Sequence, residues 1–244
     1  MERIIQNGNA EIWTDCHGSG VPFILCNGGP GCDDYLAPVS VMMEDICQVI
    51  RFEPRGCGRS SYDGNYDLPT TIGDIEFIRR EYGCERIIIG GHSAGPGIAL
   101  AYTIRYPQAV LGLIGIAGGS IVNDRDWARV YRENLEKTGE SYGGQEFIAD
   151  PDVNKIGNES WKEYIKRPEL LKDIARLAVP AIFISAEDDI RPSWPIAQLA
   201  SLIPKGEHYQ VGGAAHCIWL THASELKILL RRSIETILAD QGMG

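Results

Sequence analysis

Apolar residues in this chain gather into short continuous runs, separated by glycine-rich or polar breaks. Residues 21–27 (VPFILCN), 46–52 (ICQVIRF), 85–91 (ERIIIGG), 109–117 (AVLGLIGIA) and 179–189 (VPAIFISAEDD) are such runs. Apolar stretches of this length without polar alternation predict strands buried on both faces. At the N-terminus, ERIIQ and AEIWTD flank Asn7-Gly8-Asn9 and predict a hairpin. HYQVGG predicts a last strand. Between the runs the period changes. Ile72, Ile75, Ile78 and Tyr82 recur at spacings of three or four and Gly83 ends the series, which predicts a helix over 70–82. Helices are also expected over 33–45, 94–106, 194–202 and 222–239. Alternating strands and helices predict an α/β fold, a mostly parallel, doubly wound sheet covered on both faces.

The rhythm stops between 119 and 176. This stretch is polar, contains no buried run, and carries Trp127, Tyr131, Tyr142, Phe147, Trp161 and Tyr164. The expected organisation is therefore a core formed by residues 1–118 and 177–244, with a helical cap insertion at 119–176 over one end of the sheet.

Composition narrows the function classes. A chain of 244 residues is long enough to bury a core that needs neither disulfide nor metal. The net charge is −10 and no basic stripe is present, which argues against a nucleic-acid partner. Seven cysteines, an odd number with no CxxC pair, argue against a disulfide framework or a cysteine zinc site. The N-terminus lacks the apolar core of a signal peptide, and no run approaches the roughly 18 apolar residues of a membrane span. The expectation is a cytoplasmic protein with no membrane partner.

In an open parallel sheet, ligands bind beyond the carboxyl ends of the strands. Four polar groups end predicted strands: Asn27 with its glycines, Ser93, the cluster Glu187-Asp188-Asp189, and His216. Gly91-His92-Ser93-Ala94-Gly95 fits the nucleophile elbow G-x-S-x-G, set between a predicted strand and a predicted helix. In that turn the serine is strained into the open, and the following helix offers free N–H groups to a developing anion. A serine hydroxyl needs a base, and the expected chain order is Ser, then Asp or Glu, then His. Of the later histidines, His208 falls within a predicted strand and His222 opens a helix. His216 follows a Gly-Gly-Ala-Ala loop at a strand end, where an imidazole can reach the serine. The acid that orients it is one of Glu187, Asp188 and Asp189. One oxyanion donor is expected from the Ala94 N–H, and a second from the loop Asn27-Gly28-Gly29-Pro30-Gly31.

These residues resemble the α/β-hydrolase superfamily over nearly the whole chain. Two loops are similar to those of proline iminopeptidases: NGGPGC (27–32) to that family's H-G-G-P-G, and EPRGCGRSS (53–61) to its D-Q-R-G-x-G-R-S. The resemblance implies Ser93 as nucleophile, Asp189 as acid, His216 as base, and Gly29 and Ala94 as oxyanion donors. It implies no metal and no organic cofactor. The chain departs from the family at Asn27, where the loop begins with histidine; at Glu53 and Pro54; and at Ala94, where these peptidases carry tryptophan. The peptidases also have a longer cap, whose carboxylates hold the substrate's free amine. Glu133, Glu136, Glu140, Glu146, Glu159 and Glu163 are candidates for that task here. Three readings follow: an aminopeptidase of the proline iminopeptidase type, a carboxylesterase acting on small esters, and a non-catalytic ligand-binding or signalling protein. The first two take a small molecule or short peptide as partner.

Overall fold

A computed structural model describes residues 1–122, 125–140, 142 and 144–243. Asn123, Asp124, Ser141 and Gly143, all within the expected insertion, and Gly244 lie outside the described residues.

The apolar runs form the strands of one sheet. Its strands are β1 (Glu2–Asn7), β2 (Ala10–Gly18), β3 (Val21–Cys26), β4 (Cys47–Phe52), β5 (Ile87–His92), β6 (Val110–Ile116), β7 (Ala181–Ala186) and β8 (Gly206–Val211). They are ordered β1-β2-β4-β3-β5-β6-β7-β8. The N-terminal hairpin and its junction with β4 are antiparallel, and every pairing from β4 to β8 is parallel. The chain thus has the expected doubly wound α/β architecture.

Successive residues of the central strands enter opposite layers, as the two-residue period of a strand requires. Ile24, Ile50, Ile87, Ile89 and Phe183 pack on one face with the helices α2 (Leu68–Glu81), α3 (Gly95–Arg105) and α7 (Trp194–Leu202). Phe23, Leu25, Val49, Ile88 and Ile184 pack on the other face with α1 (Ala37–Ser40), α8 (Ile218–Thr221) and α9 (Ala223–Asp240). Every residue of β5, β6 and β7 is buried. Continuous apolar runs are what such doubly covered strands demand.

Between β6 and β7 lie α4 (Arg125–Thr138), α5 (Pro151–Tyr164) and α6 (Leu170–Ile174). Asp150 caps α5, accepting from the N–H groups of Asp152 and Val153.

One expected element is shorter than its pattern suggests. The helix expected over 33–45 is a single turn, α1. The Asp34 N–H is drawn to the Glu53 carboxylate at 3.1 Å, and the Leu36 N–H to the Asp34 side chain at 3.3 Å. Beyond α1 the backbone closes in i→i+3 turns, Met42 to Val39 and Met43 to Ser40. The start of the segment is held elsewhere, since the Asp33 N–H donates to the Ile148 carbonyl at 2.9 Å beside an isolated Cys32–Ala149 bridge. The Glu53 and Asp34 side-chain contacts hold the turn that follows. The one-turn helix α8, directly after His216, has no counterpart among the expected elements.

Candidate active site

The candidate residues lie where strands β3, β5, β7 and β8 end. Ser93 follows β5 in the middle of the sheet and has φ +61°, a left-handed conformation costly for a residue with a side chain. Its N–H is held by the Ile116 carbonyl of β6 at 3.0 Å. A Cβ on Gly91 or on Gly95 would run into the Cys26 carbonyl, so the turn accepts only glycine at both positions.

The structure brings the candidate acid and the candidate base together directly. The His216 Nδ1–H donates to Asp189 Oδ2 at 2.5 Å, and both side chains are buried. With Nδ1 committed as donor, the neutral form of the ring has its lone pair on Nε2. Burial would raise the Asp189 carboxyl, but hydrogen bonds and the charges of His216 and Arg191 hold it below its ordinary value. The other two carboxylates of the cluster have different surroundings. Glu187 is exposed and its Oε2 accepts the Gly213 N–H at 3.0 Å. Asp188 is also exposed, and its backbone N–H bonds the Ala214 carbonyl at 2.9 Å. Both tie the loop that carries Asp189 to the loop that carries His216. His208 meets Ser185 Oγ at 2.8 Å, and His222 meets Thr221 Oγ1 at 2.8 Å.

Ser93 Oγ makes no hydrogen bond to His216 among the described residues. That contact is often long before a substrate is bound. The two residues are joined instead through His92, whose ring centroid lies 4.4 Å from that of His216.

Two residues outside the expected set, His92 and Tyr35, knit the site. His92 is fully buried, and its Nε2 lies 3.1 Å from the His216 carbonyl oxygen. A carbonyl only accepts, so Nε2 carries the proton and Nδ1 is the acceptor. Tyr35 must then donate its hydroxyl to Nδ1 at 2.7 Å, while accepting the Gly28 N–H at 2.8 Å. Burial pushes the His92 imidazole well below its ordinary value and the Tyr35 hydroxyl well above its own, so both stay neutral. His92 sits inside the G-x-S-x-G motif, but the motif leaves its position open. Tyr35 carries no local signal.

The N–H of Gly28 is thus committed to Tyr35. Gly29 is exposed, and among the described residues its N–H and that of Ala94 have no partner. Asn27, buried, reaches across to the Phe52 carbonyl at 3.0 Å. The second loop of the resemblance acts beneath these groups. Glu53 is buried and binds Arg59 through Nη2 at 2.7 Å and through its N–H at 2.6 Å.

A cavity of about 250 Å³ opens over Ser93 and Ala94. Trp127, Trp161, Tyr66, Val153 and Ile196 line it, and among the described lining residues Asp189 is the only carboxylate. None of Glu133, Glu136, Glu140, Glu146, Glu159 and Glu163 reaches its wall. Trp161 lies against α3, where a Cβ on Gly97 would come within 3.0 Å of its ring. A second cavity, about 500 Å³, is lined by His216 and Arg191 together with the carboxylates Glu140, Glu187, Asp188 and Asp189. Among the described residues no helix is long and apolar enough to cross a membrane, and no cluster of three metal-ligating side chains occurs.

Residues 21–145 match the alpha/beta hydrolase fold family, and the chain belongs to that family. Within it the chain resembles proline iminopeptidases. It is 33% identical over 110 residues to a proline iminopeptidase of Saccharolobus solfataricus, a match covering 43% of this chain and 36% of the relative. The chain thus spans about a third of that relative's length. Among solved structures, a thermophilic esterase from Thermogutta terrifontis aligns with a TM-score of 0.77 at 17% identity, over 97% of this chain and 99% of that one. Proline iminopeptidase of Mycobacterium smegmatis aligns with a TM-score of 0.75 at 16% identity, over 98% and 99%. At such identities the structural likeness concerns the fold.

Proposed function

We propose that this protein is a serine hydrolase that works through an acyl-enzyme, and that its substrates are esters whose acyl groups carry no ammonium group. The buried Asp189–His216 pair beside a strained, cavity-facing Ser93 carries the reading. Ser93 Oγ attacks the carbonyl carbon as His216 Nε2 takes its proton. Asp189 holds the imidazole by Nδ1 and stabilises the imidazolium. The N–H groups of Gly29 and Ala94 receive the oxyanion. The proton then passes from Nε2 to the departing alkoxide. Water, deprotonated by His216, attacks the acyl-enzyme and releases the acid and free Ser93. Helices α4 to α6 serve as a cap that keeps the acyl group out of bulk water.

The choice of ester rests on the cavity wall. An aminopeptidase must neutralise the substrate's ammonium group, and burying that charge without a partner is costly. Among the described lining residues Asp189 is the one carboxylate, and it is already engaged by His216. The NGGPGC loop and the likeness to the Saccharolobus solfataricus enzyme favour a second reading, an aminopeptidase of the proline iminopeptidase type.

Hydrolysis of p-nitrophenyl butyrate and of prolyl p-nitroanilide, with Ser93→Ala as control, separates them. The expected result is ester turnover at least roughly 100-fold above amide turnover, abolished in Ser93→Ala. Faster amide turnover establishes the second reading. Failure of the wild type to react with a fluorophosphonate removes both.

A further inference from the structure

Arg191 occupies a place that the hydrolytic scheme does not use. It follows Asp189 by two residues and donates to Asp189 Oδ1 twice, from its backbone N–H at 3.0 Å and from Nη1 at 3.1 Å. The other carboxylate oxygen, Oδ2, belongs to His216. Each oxygen thus has its own donor, which stops the carboxylate from turning about its Cβ–Cγ bond. Beyond Asp189, Arg191 Nη2 donates to Glu140 Oε1 at 2.5 Å. Glu140 lies just past α4, between β6 and β7. The ring of Tyr131, on α4, sits 5.9 Å below the guanidinium. Tyr142 interacts with both Glu140 and Arg191, and its ring centroid is 6.0 Å from that of His216.

We propose that Arg191 is a positioning residue for hydrolysis: it locks the Asp189 carboxylate toward His216 and, through Glu140, links the charge balance at that pair to the segment between β6 and β7. The inference rests on the Ser93–His216–Asp189 reading.

The charges decide the direction of each effect. Asp189 and Glu140 are negative and Arg191 is positive, while His216 becomes positive as it takes the serine proton. Arg191 opposes that new charge, and Glu140 offsets Arg191. The other groups facing His216 contribute less. His92 is neutral, and burial pushes the Cys217 thiol up to about 12, so it too is neutral. Glu187 and Asp188 are exposed, and Asn134 and Thr138 of α4, across the second cavity, are uncharged. A neutral residue at 191 therefore favours the imidazolium, and a neutral residue at 140 disfavours it.

The test is the pH profile of kcat/KM for p-nitrophenyl butyrate in wild type, Arg191→Met, Arg191→Lys and Glu140→Gln. In Arg191→Met the acid limb moves to higher pH by about half a unit to one unit, and kcat falls roughly tenfold with KM changed less than about twofold. In Glu140→Gln the acid limb moves to lower pH by about half a unit. Arg191→Lys, which keeps the charge and loses the planar fork, restores the limb position but not kcat. Opposite shifts support the inference, because general damage to the fold gives no reason for them. Limbs that stay put, or move the same way, in variants that retain Ser93-dependent activity overturn it. A wild type that neither hydrolyses the ester nor reacts with a fluorophosphonate overturns the triad reading, and this inference with it.

Discussion

The Nε2–H of His92 donates to the backbone carbonyl of His216 at 3.1 Å, so the residue before Ser93 holds the chain that presents the imidazole. The same ring accepts from Tyr35, which in turn anchors Gly28. One uncharged chain of hydrogen bonds thereby spans the glycine loop after β3, the elbow after β5 and the histidine loop after β8.

Tyr35→Phe removes the hydroxyl and leaves the Gly28 N–H and His92 Nδ1 buried without partners. A cost of about 1–3 kcal/mol in folding stability is expected. On the proposed mechanism, kcat for the ester falls roughly tenfold, since the oxyanion loop and base loop are no longer tied together. Denaturant melts and steady-state kinetics measure both. An unchanged kcat in a destabilised variant reduces the hydroxyl to a packing role.

His92 also sets a pH dependence of stability. Burial holds its folded-state value well below the ordinary 6.5, so the unfolded chain binds the proton more readily. The stabilisation from keeping His92 neutral is complete above about pH 6.5 and is lost as pH falls below it. Urea midpoints are expected to drop between pH 7.5 and 5.5 in the wild type, and less steeply in His92→Gln. Parallel curves for the two proteins contradict this.

Ser93→Ala and His216→Ala are each expected to lower turnover by roughly 10⁴–10⁶, with the double variant little worse than either alone. Thermal melts close to wild type are expected for the serine change, since among the described residues Ser93 Oγ makes no hydrogen bond. Additive losses in the double variant argue against one catalytic unit.

Trp161→Ala opens the cavity where the indole lies against Gly97. The ratio of kcat/KM for octanoyl over butyryl p-nitrophenyl esters is expected to rise roughly tenfold, from acyl methylenes that gain apolar contact. A ratio that stays constant moves the acyl-binding wall elsewhere in the cavity.

Much of the scaffold was legible in the chain. Strands β3 to β7 read as apolar runs because both their faces are covered, and the elbow reads as a motif because its constraints lie within five residues. The helix expected over 33–45 starts late because its first residues pair outside the segment, Asp33 with Ile148 beside the Cys32–Ala149 bridge. The carboxylate cluster could be placed from sequence, but its members could not be told apart by chemistry alone. Resemblance pointed to Asp189, and in the folded chain it is Asp189 that meets His216, while Glu187 binds Gly213. The six glutamates weighed for amine recognition stand on α4, on α5 or close to them; none lines the cavity over Ser93, and Glu140 lines the second cavity beside His216.

By itself the sequence determined the doubly wound α/β sheet, the tight turn at Ser93 and the types of residue that end its strands. These follow from period, burial and local sterics, which act over a few residues. Only tertiary structure decided that Tyr35 meets His92, 57 residues away, and that Arg191 meets Glu140, 51 residues away. Those contacts depend on how strands from distant parts of the chain are ordered, and on which partner leaves no buried polar group unpaired. Neither condition is written in any short stretch of residues.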